Sequence, residues 1–322
     1  MASIVPVFVP HEGCPCRCVF CNQNTIAGQS ERMTPDRART ILLDGLARLP
    51  EGSCPQAAFY GGSFTAVEEG LQEGLLAVTD ELIRQGRLSS VRISTRPDAI
   101  SEEILMRLKR HQVTTVELGA QSMSDEVLRL SGRGHTAQDT VRAAKLVRQA
   151  GLELIIQTMA GLPGDTRERA KETAKRVAEL EPDGVRLYPV VVLPDTALYT
   201  LWSCGQYHAL EPDEAAEWCA DMLEEWLPRG IRILRIGLNP TEELQSQAAA
   251  GAYHPAMGEL AYNALWYRRL RRRLEAGADG TLAVPSRELS RAIGQKRRNL
   301  LRLREEFPGK EITIVGVDSA AS

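Results

Sequence analysis

Four cysteines lie within eight residues near the N-terminus of this 322-residue chain. Cys14, Cys18 and Cys21 have the spacing Cys-x3-Cys-x2-Cys, and Cys16 lies between them. In a reducing compartment, clustered thiols indicate a metal site or catalysis rather than disulfides. Three thiolates on one short loop can hold three irons of a cubic 4Fe–4S cluster and leave the fourth iron open. An open iron can bind an amine and a carboxylate, which the methionine end of S-adenosylmethionine (SAM) provides.

Two other interpretations of this cluster stay open. A structural zinc site usually combines two separated ligand pairs, and no second Cys/His pair stands out downstream. Ligation by Cys16 as well would close the open iron and leave a centre for electron transfer alone. We favour the open three-cysteine cluster and leave the role of Cys16 undecided. The isolated Cys54, Cys204 and Cys219 are expected to be small buried hydrophobes.

The elements that position this loop follow a regular alternation. Amphipathic helical stretches separate apolar stretches, which are expected to be strands at residues 4–10, 57–62, 91–95, 114–122, 152–164 and 184–194. Repeated strand–helix units predict parallel strands with helices outside. The fold class is therefore α/β, a partial (βα)6 TIM-like barrel, with residues 231–237 as a candidate edge strand.

The strand–helix repeat ends near residue 240. Residues 247–275 are expected to be mainly helical, and residues 282–317 to form a strand, a helix and a strand. The sequence thus predicts a core barrel over residues 1–240 and a small C-terminal α+β module over residues 241–322.

Glycine and polar residues follow or end successive predicted strands, where barrel loops build active sites. The set consists of Tyr60-Gly61-Gly62-Ser63-Phe64 after strand two, Glu117 and Gln121 on strand four, Arg133 twelve residues later and Gln157 on strand five. Glycine suits a binding loop because backbone without a Cβ can approach a ligand closely.

In their order and spacing, these motifs resemble those of the radical SAM superfamily, including an aromatic residue, Phe20, before the last cysteine. The resemblance implies that Cys14, Cys18 and Cys21 hold a [4Fe–4S] cluster. It implies that SAM is bound by Phe20, Gly61, Gly62, Ser63, Gln121, Arg133 and Gln157. Among these, the glycine backbone would bind the methionine amino group, Gln121 the ribose and Arg133 the carboxylate. The implied reaction is reductive cleavage of SAM to a 5′-deoxyadenosyl radical, with reduced flavodoxin or ferredoxin as electron donor.

Within the superfamily, the chain is most similar to the Elongator catalytic subunit and to oxygen-independent coproporphyrinogen III oxidase. The stretch YHPAMGEL at residues 253–260 resembles bacterial Elongator-related proteins. No extension of acetyltransferase length follows, so acetyl transfer is not implied. Ser94-Thr95-Arg96 and Gln157 stand where the coproporphyrinogen enzyme carries acidic residues, which weakens any expectation of porphyrin chemistry.

The net charge of −3 neither favours nor excludes a nucleic-acid partner, but arginines crowd residues 268–273 and 296–304. A basic surface there could attract a polyanion, although a solvated helical face explains it equally well. With the Elongator resemblance, this makes transfer RNA the first candidate substrate and a small molecule or peptide the competitor. The alternative class is a non-catalytic iron–sulfur electron-transfer or RNA-binding protein. No apolar run long enough to span a membrane and no secretory signal are evident, so a cytoplasmic location is expected.

Overall fold

The computed structural model describes residues 3–9, 13–14, 17–22 and 32–318. Its strands, numbered β1 to β11 in chain order, are Ile4–Val9, Gln56–Gly61, Ser90–Thr95, Val113–Gln121, Glu153–Ala160, Gly184–Pro189, Val191–Val192, Arg232–Ile236, Ala250–Gly251, Thr281–Pro285 and Thr313–Val317. Its helices, α1 to α12, are Pro35–Ala47, Glu69–Arg84, Glu102–Arg110, Asp125–Leu130, Ala137–Gln149, Arg167–Glu179, Ala197–Ser203, Pro212–Trp226, Glu242–Gln247, Met257–Glu275, Leu289–Ile293 and Arg298–Glu306. Within these ranges, no helix combines the length and apolar character needed to cross a bilayer.

Seven parallel strands form one curled sheet in the order β1-β2-β3-β4-β5-β6-β8. The prediction of a partial parallel barrel is confirmed, and the candidate edge strand is β8, which pairs with β6. The strands are apolar on the face that the helices cover, as the fully buried Val7, Ile93 and Val116 show. Because every strand runs in the same direction, the loops that follow them meet at one edge of the sheet.

Local signals in the sequence place the first helix correctly. Thr34 is the N-cap of α1 and accepts a hydrogen bond from the backbone N–H of Arg37, at 3.3 Å. Pro35 occupies the first helical position, where its missing N–H costs no hydrogen bond. The helix then covers Pro35–Ala47.

The sixth predicted strand is broken in the structure. β6 ends at Pro189, and Val191–Val192 pairs instead with Ala250–Gly251 in an antiparallel two-residue ladder. Gly251 permits this approach, since a Cβ there would lie 2.6 Å from the carbonyl oxygen of Val190. The chain after β8 thus returns to the carboxyl end of β6.

The last part of the chain builds a separate apolar cluster. β10 and β11 pair in parallel, and α10, α11 and α12 pack against them through residues such as Leu270, Leu282 and Leu303. The expected order of strand, helix and strand is confirmed, with two short helices in place of one. The first half of α10 instead joins the barrel core through Met257 and Leu265. The domain boundary near residue 240 stays a prediction.

Many arginines of the C-terminal segment form ion pairs within the chain. Such pairs join them to acidic residues of α8: Arg268 with Glu217 and Asp221, Arg272 with Glu224, and Arg298 with Asp213. Arg271 and Arg302 both contact Glu306. Ion pairs therefore reduce the basic character of this segment, whereas within the described residues exposed Arg273 and Arg304 contact only backbone carbonyl oxygens.

Candidate functional site

The cysteine loop follows β1 and lies at the edge where the strands end. Cys14, Cys18 and Cys21 are half-buried there, while Cys16 lies outside the described residues. The N–H of Val19 donates to the carbonyl oxygen of Ser131 at 3.1 Å. Backbone hydrogen bonds therefore attach the described part of the loop to the segment that follows α4.

Gly13 brings the backbone of the cysteine loop against the loop that follows β2. Its φ is +70°, and a Cβ there would lie 2.3 Å from the carbonyl oxygen of Ser63 and 2.5 Å from the N–H of Val67. No side chain fits in such a space. Sequence reasoning missed this residue, although a glycine directly before the first ligand-type cysteine was the available signal.

The Gly61-Gly62-Ser63 turn lies beside the cysteine loop. Gly61 has a φ of +106°, and the N–H of Gly62 donates to the carbonyl oxygen of Val9 at 2.9 Å. The Ser63 side chain is fully buried, with its hydroxyl 2.9 Å from that of Thr95. Ser63 therefore ties the β2 loop to the end of β3, and the glycines shape the turn.

Gln121 and Arg133 converge over Gly119 of β4. Gln121 adopts a left-handed φ of +66° where the register with β5 shifts between Gly119 and Gln121. Nη2 of Arg133 donates to the carbonyl oxygen of Gly119 at 2.6 Å, and Nη1 donates to Sγ of Cys18 at 3.2 Å. A Cβ on residue 119 would meet Nε2 of Gln121 at 3.0 Å, so glycine leaves room for both side chains. A bulge with a strained non-glycine residue is typical of a functional site.

Buried His135 lies close to this group. Burial and the positive charges of Arg133 and Arg96 lower the pKa of His135 to about 4, so the imidazole is neutral at physiological pH. Neither ring nitrogen has a hydrogen-bond partner of normal geometry within the described residues, although the ring lies near the backbone of Ala120. The sequence analysis did not single out this histidine.

Phe20 and Gln157 occupy different surroundings from the other predicted SAM contacts. Phe20 packs against an apolar cluster that includes Leu162, Val190 and Leu198. Gln157 lies further from the carboxyl end of its strand than Ala160 and takes part in a network inside the barrel. The structure thus brings together the cysteine loop, the glycine turn, Gln121 and Arg133.

The interior network is centred on the fully buried carboxylate of Glu117. Oε1 accepts from Tyr60 Oη and from Arg92 Nη1, each at 2.9 Å. Oε2 accepts from Arg186 Nε at 2.9 Å and from Gln157 Nε2 at 2.8 Å. These donors come from four other strands, so one carboxylate links five strands of the barrel. The sequence marked Glu117 and Gln157 as polar residues on strands four and five, but it did not indicate that they share a network with Arg92 and Arg186.

Electrostatics keep Glu117 ionised. Burial alone would raise its pKa, but the guanidinium groups of Arg186 and Arg92 and the amide of Gln157 outweigh burial and lower it. A carboxylate held by four donors has no affinity left for a proton near neutrality, so Glu117 is a structural anchor rather than a general base. Arg186, Tyr60 and Gln157, which donate to this carboxylate, are themselves half-buried.

The isolated cysteines differ from the prediction. Cys219 is buried as expected, and burial raises its pKa. Cys54 and Cys204 are exposed, so the expectation of buried hydrophobes was wrong for these two. Cys54 lies in the loop before β2 and Cys204 directly follows α7, and both places are open to solvent.

The cysteine loop offers three thiols as donor groups for a metal site. Among the described residues, no three Cys, His, Asp or Glu side chains converge on a single metal ion. An iron–sulfur cubane makes no such demand, because each cysteine ligates a different iron. Three half-buried thiols on one anchored loop, with a guanidinium at Cys18, fit a cluster that carries negative charge.

The comparisons with known proteins agree with this geometry. Residues 8–177, more than half of the chain, match the radical SAM superfamily, and residues 182–266 match the C-terminal domain of radical SAM proteins. The chain therefore belongs to the radical SAM superfamily, a family of enzymes whose cofactors are a [4Fe–4S] cluster and SAM. The family resemblance seen in the sequence is confirmed.

Individual relatives place the chain near Elongator-type proteins. A tRNA uridine(34) acetyltransferase of Methanocaldococcus infernus is 35% identical over 147 residues, which are 45% of this chain and 27% of that enzyme. The chain thus matches about a quarter of that relative's length. The structure of Elp3 from the same archaeon superposes with a TM-score of 0.67 at 24% identity, covering 84% of this chain and 63% of that one. Coproporphyrinogen III oxidase from Escherichia coli superposes at 0.50 and 21% identity, covering 70% and 51%. These superpositions confirm the fold.

Proposed function

We propose that this protein cleaves SAM at the edge formed by the cysteine loop and the β2 and β4 loops, and that it removes a hydrogen atom from a second substrate. The observation that carries the proposal is the docking of the cysteine loop: Gly13 packs on the Ser63 backbone, and Arg133 contacts Cys18. These contacts fix the cysteine loop against the loop that follows β2 and against Arg133. These segments contain the proposed cluster ligands and SAM contacts.

In this proposal, Cys14, Cys18 and Cys21 ligate the cluster. When bound, the reduced cluster supplies the electron that breaks a C–S bond of SAM. The task of the chain is to hold the thiols at one edge of the barrel and to keep water and oxygen from the reaction. A reductant is required, and reduced flavodoxin or ferredoxin is the proposed donor.

The proposed SAM contacts are residues that lie near the cysteine loop at this edge of the sheet. Gly61 and Gly62 present backbone at the edge of the sheet, and Gln121 points a strained, largely buried amide into the same region. Arg133 has one buried nitrogen, Nε, without a hydrogen-bond partner in the described part of the chain. That N–H suits a carboxylate such as the one in the methionine part of SAM. Phe20 and Gln157 are proposed as more distant contacts.

For the second substrate we propose a transfer RNA. Support comes from the similarity to the tRNA uridine(34) acetyltransferase of Methanocaldococcus infernus and from the superposition on Elp3. The ion pairs of Arg268, Arg272 and Arg298 weaken the electrostatic support that this segment gives to an RNA partner. Exposed Lys296 and Arg297, on a turn where both have a positive φ, are the adjacent basic pair of the segment chosen for the test.

The first experiment measures SAM cleavage. Protein purified and reconstituted without oxygen is given dithionite and SAM, and 5′-deoxyadenosine is quantified by mass spectrometry. Cys14→Ala, Cys18→Ala and Cys21→Ala are expected to lose turnover, whereas Cys54→Ala, an exposed cysteine elsewhere, is expected to keep it. Turnover retained in Cys16→Ala supports the open cluster. Absence of 5′-deoxyadenosine from a fully loaded wild-type protein would contradict the proposal and favour an electron-transfer role.

A second experiment addresses the RNA substrate. Total tRNA is expected to stimulate 5′-deoxyadenosine formation in a salt-dependent way, because phosphate contacts release counterions. The same tRNA digested with ribonuclease is the control. Lys296→Gln/Arg297→Gln is expected to weaken tRNA binding more than Arg268→Gln, whose charge is already paired. Equal stimulation by intact and digested tRNA would contradict the RNA assignment.

A further inference from the structure

Arg133 bridges the cysteine loop and the barrel. The side chain is 8% exposed. Its two terminal nitrogens donate to different acceptors, Nη1 to Cys18 Sγ at 3.2 Å and Nη2 to the Gly119 carbonyl oxygen at 2.6 Å. The planar guanidinium has a fixed fork of donors, so binding Gly119 sets the direction in which the other nitrogen points. The contact with sulfur is therefore imposed by the barrel.

The backbone next to Arg133 holds the same arrangement. Gly132 has a φ of +66°, and a Cβ there would lie 3.2 Å from the carbonyl oxygen of Arg17. The Val19 N–H donates to the Ser131 carbonyl oxygen at 3.1 Å. Contacts on both sides of the two segments thus keep Arg133 beside Cys18, and a rotamer change alone would break a buried hydrogen bond.

From this geometry we propose that Arg133 is a positioning residue that raises the reduction potential of the cluster by donating to the sulfur of Cys18. The inference rests on the proposed function, in which Cys18 is a ligand. Adding one electron makes a [4Fe–4S] cluster more negative, so a nearby positive charge and N–H donor stabilise the reduced form more than the oxidised form. Hydrogen bonds to cluster sulfurs are known determinants of such potentials. Burial strengthens the effect because the local dielectric is low.

This role is separate from binding SAM. The resemblance assigns Arg133 to the SAM carboxylate, and the Nε that lacks a partner is available for that contact. The donor at Cys18 acts whether or not SAM is present. A potential measured without SAM therefore reports on the sulfur contact alone.

The test is a redox titration of the reconstituted protein without SAM, followed by the electron paramagnetic resonance signal of the reduced cluster. Arg133→Gln removes the charge and the directed donor, and Arg133→Lys keeps the charge but cannot reach both acceptors with a planar fork. Arg17→Gln is the matched control, because Arg17 is exposed and directly precedes Cys18. Iron and sulfide content are measured on each protein.

At a fixed applied potential, the ratio of reduced to oxidised cluster is expected to be roughly tenfold lower in Arg133→Gln than in wild type. Arg133→Lys is expected to shift in the same direction by less, and Arg17→Gln to stay near wild type. An unchanged midpoint potential in an Arg133→Gln protein that contains a full cluster would overturn the inference, even if this variant binds SAM more weakly. If neither variant assembles a cluster, Arg133 is required for assembly and the tuning role is likewise rejected. Absence of a cluster in the wild type would instead reject the proposed function.

Discussion

Two polar clusters lie in the same barrel and differ in how completely their hydrogen bonds are satisfied. In the interior cluster around Glu117, the carboxylate accepts from four side chains, and none of its members has a buried polar atom without a partner. In the mouth cluster of Cys18, Gln121, Arg133 and His135, the buried Nε of Arg133 lacks a partner in the described residues, and the His135 ring makes no hydrogen bond of normal geometry there. Gln121 is held in a left-handed conformation.

The difference separates scaffold from binding site. Buried polar groups without partners cost free energy, and so does a left-handed non-glycine residue. A fold tolerates both where a ligand completes the arrangement, whereas a fully satisfied network rigidifies the elements that contribute to it. We therefore interpret the interior cluster as the support of the barrel and the mouth cluster as the place where a cofactor binds.

The largest effect is expected from removing the centre of the interior cluster. Glu117→Ala leaves Arg186 buried without its carboxylate and removes one of the two carboxylates that Arg92 contacts, and it should lower the free energy of unfolding by about 3–5 kcal/mol. Chemical denaturation measures the change. Asp213→Ala, which breaks the exposed pair with Arg298, is the control and should cost about 0–1 kcal/mol. Equal costs for the two variants would remove the structural role assigned to Glu117.

Gly13→Ala should displace the cysteine loop and leave most of the barrel intact. The added Cβ would meet backbone atoms of Ser63 and Val67, so the cysteine loop must move and cluster content should fall severalfold. Gly52→Ala is the matched control, since its φ of +79° is similar but nothing lies within 4 Å of a Cβ. Iron content after reconstitution distinguishes close packing from backbone strain. Similar iron content in both variants would show that the Gly13 contact is unimportant.

The lowered pKa of His135 predicts that the free energy of unfolding depends on pH. Its folded pKa of about 4 is lower than its ordinary value of 6.5, so the unfolded chain binds the proton more readily. Stability should therefore be lost as the pH falls from about 6.5 towards 4, by at most about 3 kcal/mol. His135→Gln should flatten the profile of unfolding free energy in that range, whereas His208→Gln, at an exposed position, should not. An unchanged slope in His135→Gln would contradict the buried neutral histidine.

The smallest effect concerns the strain at Gln121. Gln121→Gly should raise the free energy of unfolding by up to about 1 kcal/mol, because relief of the left-handed strain exceeds the entropy that glycine adds to the unfolded chain. It should also weaken SAM binding, measured by equilibrium dialysis. Gln112→Gly, at an exposed position with a φ of +56°, should be stabilised similarly without any change in SAM affinity. A Gln121→Gly protein with unaltered SAM affinity would place this residue outside the SAM site.

Much of the fold was accessible from local patterns. Apolar stretches separated by amphipathic helices predicted the parallel barrel, and Thr34 with Pro35 marked the start of α1. The break after Pro189 was not predicted, because its cause is a partner strand at Ala250–Gly251 about sixty residues away. Pairing between distant segments leaves no mark on the local pattern of either one.

For the candidate site, the residue types were predictable and their contacts were not. The spacing of Cys14, Cys18 and Cys21 indicated an iron–sulfur cluster, because three thiols within one short loop can reach neighbouring irons. The sequence by itself therefore determined the fold class and the chemistry to expect, since both depend on residues close together in the chain. Only the tertiary structure decided that Arg133 meets Cys18, that five strands share Glu117 and that ion pairs occupy several of the C-terminal arginines. Those outcomes depend on which distant side chains the folded backbone brings within hydrogen-bonding distance.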